Sequence, residues 1–194
     1  MKIRFILPLI SLAILSCDGP KNTSSLEQPD SPLPGSNQNS PRATSHHELA
    51  QLLIAALDNE DYDAVAQLMA PAALIKILED SEEAQKYYAN LVARTPQQAK
   101  ILHTYLKHLK LTPLKGIPIR KHQSSPDRIK TEGGVQFERS TGIRLLNNEG
   151  TIAFELADMA CSVDGVWYLT QLLDKRTEMM IREKFPDLIE AIDK

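Results

Sequence analysis

Apolar and polar positions divide the chain into zones with different periods. An apolar run from Phe5 to Leu15, broken only by Pro8 and Ser11, follows the cations Lys2 and Arg4. From Asp18 to Thr44 large apolar residues almost disappear, and Pro20, Pro29, Pro32, Pro34 and Pro41 stand among Gly, Ser and Asn. From Ser45 to Leu111 apolar residues recur every three or four positions, the period of an amphipathic helix. Beyond Leu111 the period falls to two, the period of a strand with one buried face, until a last helical stretch closes the chain.

The helical zone punctuates itself. Ser45 with Glu48 forms a capping box, and Leu49, Leu52, Leu53 and Ala56 give the first helix its apolar face. Asn59 and Asp61 end it, and a short second helix carries Tyr62, Val65, Leu68 and Met69. Pro71 closes that helix and opens the next, through Leu74, Ile75 and Leu78. Ser81 caps another, through Tyr87, Leu91 and Val92. Thr95-Pro96 reads as an N-cap with proline at the first helical position. A separate helix is therefore predicted there, facing inward with Ile101, Leu102, Tyr105, Leu106 and Leu109.

In the strand zone, Pro113, Pro118 and Pro126 exclude long helices, and Ile117 and Ile119 around Pro118 predict an edge strand at most. Val135 to Arg139 and Ile143 to Leu146 read as strands, followed by a turn at Asn147-Asn148-Glu149-Gly150. Thr151 to Ser162 is the next strand, with Ile152, Phe154 and Leu156 predicted on one face. Asp164-Gly165 is a hairpin signal, and it places Val166 to Leu172 antiparallel to that strand. Trp167 and Leu169 share one face of the last strand. Lys175 to Lys184 reads as helix, with Pro186 breaking it before Leu188, Ile189 and Ile192. Helices first and antiparallel strands afterwards predict an α+β fold, with N-terminal helices packed on a curved antiparallel sheet and a helix at the C-terminal end.

The first seventeen residues carry the strongest functional signal. Two cations, an apolar stretch of about a dozen residues and then the small Ser16 make a secretory signal peptide over 1–16, since a membrane span needs roughly 20 apolar residues. The segment Ile14-Leu15-Ser16-Cys17 resembles the lipobox of bacterial lipoproteins, with Leu15 bulkier than the box prefers. The resemblance implies that a diacylglycerol is attached to Cys17 and that the chain is cut just before it. Residues 17–44 then form a disordered tether, because their composition buries too little surface to offset ordering. Such a tether averages ~30 Å as a coil and reaches on the order of 90 Å when stretched. A single domain over 45–194 is held outside the cytoplasm in the bacterial cell envelope, membrane-anchored by the lipid. Asp18, just after the cysteine, resembles an inner-membrane retention signal of enteric bacteria.

Charge and chemistry add exclusions more than sites. Loss of Lys2 and Arg4 takes 22 cations to 20 against 25 acids, so the formal charge moves from −3 to −5 and nucleic acid is not an expected partner. Cys161, the second cysteine, has no partner once Cys17 carries lipid, and reads as a small buried hydrophobe. His103 and His108 are five apart instead of the four of a helical zinc pair, His46-His47 diverge, and His122 falls in a loop, so no metal is expected. The acidic run Asp58, Glu60, Asp61 and Asp63 lacks the Gly and the Glu of a calcium loop and reads as acids at a helix start. Lys107, Lys110, Lys115, Arg120, Lys121, Arg128 and Lys130 form a basic span with one acid, Asp127, fit for a solvated face or for anionic lipid or glycan. Phosphate-binding glycine loops, nucleophile elbows and zincin helices are missing from the sequence.

The element order, with Asp61-Tyr62-Asp63 opening the second helix and Asp164-Gly165-Val166-Trp167-Tyr168-Leu169 near the end, resembles the nuclear transport factor 2-like superfamily over Ser45 to Leu172. The resemblance implies a sheet curved around helices into a cone with an apolar cavity. That superfamily includes isomerases, dehydratases and many non-catalytic binding domains. Phe154, Trp167 and Leu169 are the expected pocket or core lining. Two functions follow as expectations. One is a lipid-anchored, non-catalytic binding or assembly module, partnered by the membrane and by an envelope protein or a small apolar ligand, with no cofactor. The other is a lipid-anchored enzyme using the cone for acid/base chemistry, with Asp158 or Glu155 and Tyr168 as its groups. Alternation places Asp158 on the face of Phe154 and favours it over Glu155.

Overall fold

A computed structural model of the chain describes residues 42–72, 74, 81–122, 129–132 and 135–187. The expected signal peptide, Cys17 and most of the tether lie outside these residues, as do Ile75, Leu78 and the stretch beyond Pro186 that contains Leu188, Ile189 and Ile192. The described elements run α1 (His46–Asp58), α2 (Tyr62–Gln67), α3 (Glu82–His108), β1 (Ile119–His122), β2 (Ile129–Glu132), β3 (Val135–Leu146), β4 (Ile152–Val163), β5 (Val166–Gln171) and α4 (Lys175–Lys184). The fold is α+β, with helices packed on an antiparallel sheet and a C-terminal helix.

Local chemistry sets the helix ends. Ser45 Oγ accepts from Glu48 N, Asp61 Oδ1 from Ala64 N, Ser81 Oγ from Ala84 N and Asp174 Oδ1 from Thr177 N, each satisfying an orphan donor of its first turn. The box at α1 departs from its usual form, because Glu48 reaches back to Thr44 N and Oγ1. Both α1 and α3 end in Schellman turns. Asp61 N donates to Ala56 O and Leu111 N to Leu106 O, with Glu60 and Lys110 at φ 58° in the position that usually holds glycine.

The helix predicted to begin at Thr95-Pro96 does not begin there. α3 runs unbroken through Pro96, and Thr95 Oγ1 donates to Leu91 O in the previous turn. Leu91 before the proline and Ala99, Leu102 and Leu106 after it are all buried in one core, so packing holds in line what the local signal would divide.

The sheet has the order β1-β3-β4-β5, and β2 pairs with the same strand as β1. β1 lies against Thr141–Leu145 and β2 against Val135–Glu138, so the two continue one another along one edge of β3. The two strands predicted at 135–139 and 143–146 are a single strand, which passes through Gly142 at φ +70°. Asp164 and Gly165, at φ 47° and 79°, make the tight turn between β4 and β5.

β4 carries extra residues relative to β3. Ile143 pairs with Ala157 and Arg144 with Glu155, leaving Leu156 as the additional residue, and Ala153 is left over in the same way between Phe154 and Ile152. Each extra residue resets the alternation. Ile152, predicted on the face of Phe154 and Leu156, is therefore exposed, whereas Leu156 and Ala157 are both buried.

The core lies between helices and sheet. Leu49, Leu53 and Leu57 of α1, Leu102 and Leu106 of α3, and Ile143, Leu145, Leu156 and Leu169 of the sheet are fully buried in one cluster. Ala43 belongs to it as well, and Trp167 N donates to Ala43 O at 2.8 Å. The folded domain therefore takes in Ala43 and Thr44, which composition assigns to the tether. Among the described residues, no helix is long and apolar enough to cross a membrane.

Candidate functional site

The β4–β5 hairpin places Trp167 opposite Ser162 and Leu169 opposite Ala160, on the side that meets α1. Leu169 is fully buried and serves the core alone. Trp167, 8% exposed, belongs to the core and also to the wall of a cleft. That cleft, about 420 Å³, is lined by Thr44, Ser45, His46, His47, Ile119, Lys121 and Trp167, where the start of α1 meets β1 and β5.

Three side chains from distant parts of the chain converge there. The His46 ring stands edge-on to Trp167, with ring centroids 5.4 Å apart. Its Nε2 lies 3.2 Å from Gly142 O. A carbonyl only accepts, so Nε2 carries the proton and the ring is fixed in place. Lys121, on β1, sets its ammonium 4.9 Å from the Trp167 ring centroid, a cation–π contact that holds charge against an apolar wall. In the sequence His46 stands out only as one of a diverging histidine pair, and Lys121 only as one of a basic span. No local pattern joins them, since the His46–Gly142 contact spans 96 positions.

Phe154 is also on the helix-facing side, but away from this cleft. Half-buried, it packs on the main core and on Tyr105 of α3, at 5.7 Å between ring centroids, beside a second cluster of Ile101 and Ile181.

The carboxylates considered for acid/base work face elsewhere. Phe154 pairs with Leu145 and Ala157 with Ile143, so these four share a face. Glu155 and Asp158, each next in chain to one of them, project from the opposite side. The extra residue Leu156 is what moves Asp158 off the face that simple alternation gives it. Glu155 is bound to Arg144 at 3.3 Å. Burial raises the Asp158 carboxyl above its usual range, with Asp174 and Glu155 adding like-charge repulsion. Burial likewise raises Tyr168, whose residue pairs with Cys161 in the ladder and not with Asp158.

The remaining sequence candidates have structural partners. His103 is buried, with Nδ1 3.1 Å from the Tyr62 hydroxyl, and burial followed by the nearby Lys107 charge lowers its pKa. His108 packs on Phe185. Asp58 accepts from Leu114 N and Lys115 N, and Glu60 accepts from Lys107. Cys161 is buried. Among the described residues, no three of His, Cys, Asp and Glu are grouped to hold a metal ion.

No protein-family model matches this chain, and neither the curated proteins nor the solved structures compared with it include a match.

Proposed function

We propose that this protein is a lipid-anchored component of the bacterial cell envelope, and that its domain is a non-catalytic binding module working through the Trp167 cleft. The observation that carries the reading is the division of the sheet's two sides. Among the described residues, fully buried leucines fill the helix-facing side, and the cleft opens at its margin. Asp158 and Glu155, the carboxylates weighed for acid/base work, project from the other side. The order of helices, then antiparallel sheet, supports the likeness to nuclear transport factor 2-like domains, in which binding without catalysis is common. The cleft's first wall, Thr44 to His47, follows directly on the expected tether.

Anchoring rests on Cys17. Several acyl chains at about 0.8 kcal/mol per buried CH₂ hold a protein in a bilayer essentially permanently. Radiolabelled palmitate should label the wild type and not Cys17→Ala, and label persisting in the variant would refute the anchor. Binding is tested in cells with a photo-crosslinking residue at His47, exposed at the cleft, and at Met179 on α4 as control. A discrete adduct from position 47 and none from 179 is expected. Equal yields from both, or none from 47, would contradict the assignment of the cleft.

A further inference from the structure

α2 is a six-residue helix that lies on α3, and the residues that follow it cover an edge of the sheet. Leu169 N donates to Leu68 O and Ala70 N donates to Leu169 O, both at 2.8 Å, and the Tyr88 hydroxyl of α3 donates to Ala70 O at 2.9 Å. Leu68, Met69 and Ala70 are buried along β5, whose edge would otherwise offer unpaired backbone groups. A helix this short does not hold itself and depends on its tertiary contacts. One of those contacts is polar and buried. His103 of α3 is 2% exposed, and its Nδ1 lies 3.1 Å from the hydroxyl of Tyr62, the first residue of α2, with ring centroids 6.1 Å apart.

With the imidazole neutral, one hydrogen serves this contact, and either Tyr62 or Nδ1 can supply it. A second proton on the ring puts a charge at a buried site, which is costly unless partners offset it. Among the described residues, the charges that face His103 are Lys107, one turn on along α3, Glu60 in the turn before α2 and Asp58 at the end of α1; α2 itself faces it with Tyr62. Glu60 and Asp58 favour the charged ring, but Glu60 accepts from Lys107, and Asp58 accepts from Leu114 N and Lys115 N. Burial and then Lys107 outweigh them and lower the pKa of His103. A histidine held below its ordinary value of about 6.5 contributes its stability fully above that pH and loses it as the pH falls. We propose that Tyr62 and His103 form an acid-sensitive latch: a proton taken up by His103 raises the population of a form in which α2 and Leu68–Ala70 have come away from α3 and uncovered the edge of β5. In that form the Leu169 N–H has lost its acceptor, which hydrogen exchange reads directly.

Hydrogen exchange of the full chain, followed by mass spectrometry at pH 7.0 and 5.5 and corrected for the intrinsic pH dependence of exchange, tests the latch. In the wild type, exchange in 62–70 and 166–171 should rise several-fold at pH 5.5 while α4 stays level. The ceiling is about tenfold, because pH 5.5 lies one unit below the value of a solvated imidazole. His103→Gln, which keeps a hydrogen-bonding partner for Tyr62, should abolish the rise. Lys107→Gln should shrink it, since Glu60 is then left to favour the charged ring. The exposed Glu60–Lys107 pair adds little to stability, so this variant keeps the fold. No rise in the wild type, an equal rise in α4, or a rise undiminished in His103→Gln overturns the latch. Should far-UV circular dichroism show His103→Gln unfolded at pH 7.0, Lys107→Gln decides alone, and an undiminished rise there overturns the latch.

Discussion

Trp167→Ala is expected to destabilise the domain by about 3–5 kcal/mol, the usual cost of truncating a large core aromatic. Trp167 is 8% exposed and sits in the main core with Leu169, and the edge of His46 closes over it. Removing the indole leaves a void between β5 and the start of α1, beside the Trp167 N to Ala43 O bond. Against a typical total stability of about 5–15 kcal/mol, this is a large fraction. In thermal terms it amounts to a fall on the order of 10 °C for a domain of this size. Urea unfolding followed by far-UV circular dichroism measures it without the lost fluorophore. Trp167→Phe should recover most of the loss, because a ring still fills the site. A cost under about 1 kcal/mol for the alanine variant would mean that the indole lies on the surface and closes nothing.

The second large effect concerns Glu178 on α4. Its side chain is 8% exposed and accepts from Arg94 Nη2 and Gln98 Nε2, both at 2.9 Å, and from Arg182 Nε at 3.1 Å. Arg94 and Gln98 belong to α3, so this carboxylate ties the C-terminal helix to the long helix. Glu178→Leu should cost roughly 3 kcal/mol, the low end for breaking a buried pair, since both guanidinium groups reach solvent and can rehydrate. Most of the penalty then falls on Gln98, which is 3% exposed and whose Oε1 already has no partner among the described residues. The double variant Gln98→Leu with Glu178→Leu should therefore be more stable than the single Glu178→Leu. Urea midpoints for the three proteins decide it, and a double variant worse than the single would place the cost in the ion pairs instead.

What sequence could and could not foretell follows the range of each cause. Ser45, Asp61, Ser81 and the Asp164-Gly165 turn act on backbone a few residues away, so their signals were readable and the elements begin or turn where they stand. Thr95-Pro96 carried an equally clear signal and was overridden, because burial along both halves of α3 outweighs one missing hydrogen bond. The face of Asp158 was misread because an extra residue in β4 shows only in pairing with β3, not in composition. The cleft was half readable. Trp167 and Leu169 were named for it or for the core, but His46 and Lys121 join Trp167 only through tertiary approach. Phe154 shares the side of the sheet expected of it without sharing the cleft.

Trp167 belongs to the buried core and borders the cleft from within. Steady-state emission of Trp167 in the full chain, with and without iodide, tests this most directly, because no other tryptophan contributes. A blue-shifted native emission, largely protected from iodide and moving to the wavelength of free tryptophan only on unfolding in urea, is the expected result. Native emission already near that of free tryptophan, with full quenching by iodide, would contradict it.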